Sequence, residues 1–165
     1  MSNEMAERDA PDAAASIEKV LIAGDLKSLS EAERVSYYGR VCQSLGLNPL
    51  TQPFEYITLG GKLKLYARKD ATDQLRKLHG VSVLKLEHRC ENGLYVVTAV
   101  GQDRTGRQDT STGAVWVDGL EREAAANAVM KAETKAKRRL TLSLCGLGML
   151  DEVEVDSGVE LQPMP

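Results

Sequence analysis

The chain has 165 residues, 42% of them apolar and 27% charged, which fits one folded domain with tails and is long enough to bury a hydrophobic core. No apolar run approaches the roughly 18 residues of a membrane span, and the polar start MSNEMAERDAPDAAAS lacks the basic and apolar parts of a signal peptide, so the composition points to a cytoplasmic protein. The net charge of −3 conceals a separation: residues 34–139 hold 18 Lys and Arg against 11 Asp and Glu, a net of +7, while the two ends hold 3 against 13, a net of −10. A basic body between acidic ends suits a polyanionic partner.

In chain order, residues 1–15 are polar and Ala-rich with no period, and the segment 1–29 is expected to be mostly disordered apart from a short helix at 16–24. SEAERVSYYGRVCQSLG predicts a helix. Ser30 and Glu33 form a capping box, Val35, Tyr38, Val41, Cys42 and Leu45 supply the inward face, and Gly46 with Asn48-Pro49 stops it. PFEYITLGGKLKLYA alternates on both sides of Gly60-Gly61 and predicts a β-hairpin that puts Lys62, Lys64 and Tyr66 on one face. RKDATDQLRKLHG predicts a helix with Ala71, Leu75 and Leu78 inward, Asp70 in its first turn and Arg76, Lys77 and His79 in its last. Strands follow at about 81–90, 94–102 and 108–117, divided by ENG and RTG, a spacing that implies an antiparallel meander. The Ala- and Leu-rich stretch at 119–146 predicts a long helix stopped by Gly146 and Gly148, and the acidic segment 151–165 is expected to be disordered. The fold class is therefore α+β, a hairpin, a helix, a three-stranded meander and a long helix packed on the sheet, with residues 30–150 as the domain.

The long helix carries five basic residues in nine positions, Lys131, Lys135, Lys137, Arg138 and Arg139. On a helical wheel Lys131, Lys135 and Arg138 share a stripe, Arg139 flanks it, and Lys137 points elsewhere. No acid stands four positions from Lys135 or Arg138, so the like charges repel without compensation, a cost that a binding face would justify. The hairpin face of Lys62, Lys64 and Tyr66, followed by Arg68 and Lys69, is basic too. Cations in series suit a phosphate backbone, and an aromatic plane (Tyr66, Tyr95 or Trp116) suits a base, although ordinary packing accounts for each aromatic as well. Enzyme signals are poor: GxGxxG, Walker, HExxH and GxSxG motifs are missing, and two histidines give a triad little material. His88 and Cys90 share a strand face, and Asp70 with Asp73 share a helix. The simpler accounts are strand surface for the first pair and macrodipole partners for the second, in place of a metal site or a metal-dependent nuclease. No cofactor, metal or catalytic residue is expected.

The segment SLGLNPLTQPFEYITLGGKLKLYARKDATDQLRKLHGVSV resembles the N-terminal part of the RecT and lambda Red beta single-strand annealing proteins, with LGLNPLTQPF as its most specific piece. The meander and the helix ending KRRLTLSLCGLG are similar in kind to the eukaryotic recombination-mediator annealing proteins. The resemblance covers roughly residues 30–150. It implies a non-enzymatic protein of phage-type recombination in a bacterial host cytoplasm that binds single-stranded DNA and anneals complementary strands without ATP. It further implies a homo-oligomeric ring or filament and, as a partner, a phage exonuclease or a host single-strand-binding protein. The DNA would lie in a basic groove between hairpin and long helix. The family's basic pair falls on Lys137 and Arg138, and a further basic position falls on Thr141, where this chain departs from the pattern. The expected DNA-binding set is thus Lys62, Lys64, Tyr66, Arg68, Lys69, Lys131, Lys135, Lys137, Arg138 and Arg139. The acidic ends would cover the groove or recruit a basic partner. The alternative is a non-enzymatic interaction or regulatory module whose basic face docks an acidic protein.

Overall fold

The computed structural model describes residues 14–151 except residue 16. The tails expected at the two ends fall for the most part outside these residues. The fold is α+β, and the elements follow the expected order: α1 (Glu31–Leu45), β1 (Phe54–Leu59), β2 (Lys62–Ala67), α2 (Lys69–His79), β3 (Ser82–Glu91), β4 (Leu94–Gln102), β5 (Gln108–Trp116) and α3 (Arg122–Leu144). The described residues divide into two compact units, 14–66 and 67–151, so the domain expected over 30–150 runs across a boundary at the end of the hairpin. No described helix is long and apolar enough to cross a membrane.

The first unit begins before residue 30. Residues 17–23 are helical, and the 3-10 turn Leu26–Ser28 buries Leu26, with Leu29 buried beside it. Asp25 caps that turn through Lys27 N–H and also accepts from Leu63 N–H of β2, which ties the turn to the hairpin. In α1 the capping box forms as expected: Ser30 Oγ accepts from Glu33 N–H, and Glu33 Oε2 accepts from Ser30 N–H. Ser30→Ala should therefore destabilise this unit by about 1 kcal/mol, read as a shift of the urea midpoint at unchanged slope. The covered stripe of α1 is Arg34, Tyr38 and Cys42, and Val35 is 73% exposed rather than inward. Tyr38 sets this angle, because its hydroxyl donates to the Phe54 carbonyl and accepts from Phe54 N–H. A residue one step along the helix turns about 100° away. Strands β1 and β2 meet at Gly60-Gly61, both at positive φ, the conformation a two-residue hairpin turn requires.

In the second unit β3, β4 and β5 form an antiparallel meander in that order. Helix α3 covers one face of it. Ala132, Ala136, Leu140 and Leu144 recur every four residues and pack on Val81, Val97 and Ala99, with Val83, Leu86, Tyr95 and Val115 around them. The helix comes unusually close to β5 because residue 113 is glycine: a Cβ there would run into the Ala132 carbonyl oxygen and lie 2.6 Å from Ala136 N. In α2, Ala71 and Leu75 are buried as expected, whereas Leu78 in the last turn is 46% exposed. Strand β3 carries a bulge between Val83 and Lys85. The extra residue resets the alternation, so that Val83 and Leu86 both face α3 while Lys85 and Glu87 face away.

Candidate nucleic-acid interface

Three of the ten expected residues, Lys62, Lys64 and Tyr66, belong to the first unit. They share one side of β2, opposite the buried Leu65 and Ala67, as strand alternation requires. Lys62 Nζ donates to the Ala23 carbonyl at 3.2 Å, so this cation also braces the segment before the 3-10 turn.

The other seven lie in the second unit, and α3 sends its five in three directions. Lys137 faces α2. With Met130, Glu133 and Thr134 of α3 and Lys69, Thr72, Asp73 and Arg76 of α2, it lines a cavity of about 250 Å³. The two helices run side by side here because Thr72 and Leu75 on α2 are small or apolar enough to be fully buried. Three cations, Lys69, Arg76 and Lys137, thus converge from positions far apart in the chain. Asp73 accepts from both Lys69 and Arg76, and Glu133 accepts from Lys137 one turn along. The Lys137 hydrogen bond holds the Glu133 carboxyl below the ordinary carboxylate range. Both carboxylates therefore act as braces that set the cations in place, Asp73 through Oδ2 to Lys69 and Oδ1 to Arg76, and Glu133 to Lys137. Arg68 precedes α2 as its N-cap residue and is exposed.

The second direction is toward β5, an edge strand. Lys135 starts against Gly113, and Arg139 Nη1 reaches the Thr112 carbonyl at 3.5 Å. Lys131 stands one turn before Lys135 and is exposed. Lys131, Lys135 and Arg139, each a turn apart, make a row along this edge.

Arg138 takes the third direction, and here the expectation fails. The helical wheel puts it on an open stripe with Lys131 and Lys135, yet it is only 7% exposed. Past the end of α3 the chain makes a 3-10 turn at Gly148–Leu150 and returns, seating Asp151 Oδ1 3.2 Å from Arg138 Nε and Oδ2 3.4 Å from Arg139 Nε. Arg138 is a partner of Asp151 and a packing element, not part of an open cationic surface. Thr141, where the resemblance anticipates another cation, is fully buried, with its hydroxyl donating to the Lys137 carbonyl. A charge at that position would have no water to face.

Among the candidate aromatics, Tyr95 packs under α3, with its hydroxyl 2.9 Å from His88 Nδ1. Trp116 lies on the opposite face of the sheet and is 60% exposed. Arg76 was not singled out as a binding residue in the sequence, where it reads as an ordinary macrodipole partner. Its signal was the Asp73–Arg76 spacing of three, which turns both toward one helix face. Compared with protein-family models and with curated proteins, the chain matches none.

Proposed function

We propose that this protein binds single-stranded DNA through its phosphate backbone and anneals complementary strands without ATP, working as a homo-oligomer. The observation that carries this reading is the cavity between α2 and α3, where Lys69, Arg76 and Lys137 converge on about 250 Å³ of open space. Lys69, which follows the basic hairpin face, and Lys137, on which the family's basic pair falls, line the same cavity. A phosphate entering it meets ammonium and guanidinium donors already held in position by Asp73 and Glu133, so little side-chain ordering is left to lose. The exposed Lys131 and the Lys135–Arg139 row extend positive charge along α3, and Lys62 and Lys64 supply a second cationic surface on the hairpin. Base edges play no part in such binding, so a held strand keeps them for pairing with its complement. Modest affinity per protomer suffices once several protomers engage one strand.

Filter retention of a single-stranded oligonucleotide across a salt series tests the reading. Affinity should fall steeply with salt. Lys69→Ala and Lys137→Ala should each weaken binding about fivefold and lower the log–log salt slope by about 0.7. Arg138→Met should leave both almost unchanged. The purified protein should also accelerate the annealing of complementary oligonucleotides. A protein that shows neither salt-sensitive retention nor acceleration, and instead captures an acidic protein, would be a docking module.

A further inference from the structure

The meander has a second face. Lys85, Glu87, Arg89 and Glu91 of β3 stand opposite Val100, Thr98, Val96 and Leu94 of β4, and these in turn stand opposite Thr110, Thr112, Ala114 and Trp116 of β5. All point away from α3, because the core residues Val97 and Ala99 take the alternate positions. Seven of these twelve residues are charged or carry a hydroxyl and Val96 is buried, so the exposed apolar part of the face is Trp116, 60% exposed, with Leu94, 38% exposed, opposite it. A soluble chain seldom leaves a tryptophan and a leucine side by side in water without a use for them.

The four charges on β3 run plus, minus, plus, minus at every second residue. Reversed, the same row runs minus, plus, minus, plus. A two-fold axis lying parallel to the sheet and crossing β3 at His88 therefore sets Lys85 over the partner's Glu91 and Glu87 over the partner's Arg89, with both contacts made twice. The registered neighbours of His88 are Val97 on β4 and, beyond it, Gly113 on β5, so the same axis crosses those strands there. It lays Leu94 over the partner's Val100, Ala114 over the partner's Thr112, and Trp116 over the partner's Thr110, large against small. An alternating row of four is complementary to its own reverse about its midpoint, and within one chain Lys85 also pairs with Glu87. This one is self-complementary at every position.

We infer that this face is a contact between two copies of the chain, packed sheet to sheet about that axis. An isologous contact of this kind needs only one self-complementary patch. Trp116 and Leu94 supply the apolar anchor, and the charges fix the register and exclude a slipped pairing. Three strands of about nine residues offer roughly 400 Å² per copy, about half of a standard interface, so the association is a weak one in the micromolar range. It is separate from the nucleic-acid reading, since none of these residues lines the cavity between α2 and α3.

Sedimentation of the full chain from about 1 to several hundred micromolar should show mass rising with concentration. The emission of Trp116, the sole tryptophan, should shift to the blue over the same range. Arg89→Glu sets like charges against each other at two contacts and should weaken association at least about tenfold. The swap E87R/R89E rebuilds a self-complementary row and should restore it. Both positions are exposed, so neither variant threatens the fold. The inference is overturned if mass is the same in all three proteins, if the swap fails to restore what Arg89→Glu removes, or if Trp116 emission responds to an oligonucleotide and not to protein concentration. Retention of oligonucleotide by Arg89→Glu at the wild-type level keeps the two readings apart.

Discussion

Gly113→Val should prevent the second unit from folding. The added Cβ would meet the backbone of α3, at the Ala132 carbonyl and at Ala136 N, rather than the yielding end of a side chain. The helix would have to lift off the sheet along the row from Ala132 to Leu140, which would open the core to water. Even Gly113→Ala should cost at least about 3 kcal/mol, at the upper end of overpacking effects, and valine should leave no cooperative transition. Gly106 supplies the control. It lies in the turn before β5 at φ +89, with nothing within 4 Å of its Cβ position. Gly106→Ala should therefore cost only about 1 kcal/mol, through backbone strain alone. Urea unfolding followed by circular dichroism ranks the three. If Gly106→Ala proves as damaging as Gly113→Ala, close approach is not what residue 113 provides.

The second large effect is expected at Asp151. Its carboxylate is one of the groups that compensate the buried Arg138 guanidinium, and it also holds Arg139, while the side chains of Asp151 and Arg138 are each 9% exposed. Asp151→Ala leaves a buried cation beside a second cation, and removing one partner of such a pair costs about 3 kcal/mol. Arg138→Met removes the charge that needs compensation and keeps most of the packing volume, so it should cost about 1 kcal/mol. The order matters more than either value. A surface ion pair would give two small effects of similar size. If Arg138→Met is the more damaging, the guanidinium does something that neutralising a buried charge does not explain. Truncations meant to test the acidic tail should accordingly begin after Asp151, because removing it would confound loss of charge with loss of stability.

The secondary elements and their order were legible because each carries a local signal. Examples are the capping box at Ser30, the turn at Gly60-Gly61, the turn signals ENG and RTG, and the four-residue recurrence of small and apolar side chains from Ala132 to Leu144. What escaped the sequence depends on partners distant in the chain. A helical wheel gives the angle of Arg138 but cannot show that the chain doubles back thirteen positions later to bring Asp151 onto it. The same wheel set Lys137 aside as pointing elsewhere, and elsewhere proves to be α2. Helical spacing alone turns Val35 inward because five apolar or aromatic residues of α1 fit two neighbouring stripes, and the hydrogen bonds of Tyr38 choose between them. Gly113 reads in a sequence as a weak spot in a strand, when it is where the helix comes closest.

The bulge at Leu84 has a consequence for how this sheet can change over time. Upstream of it the helix-facing parity is set by Val81 and Val83, and downstream by Leu86. The single extra residue is the joint between two frames. Deleting Leu84 alone would leave Val83 opposite Gly101 and Lys85 opposite Val100 with nothing between them, so the strand would become regular with each side chain on its present face, whereas deleting one residue beyond the bulge would exchange the two faces. Beyond the joint, then, β3 can lengthen or shorten only by two residues at a time, whereas at the joint one residue can be lost without changing which side chains face the helix.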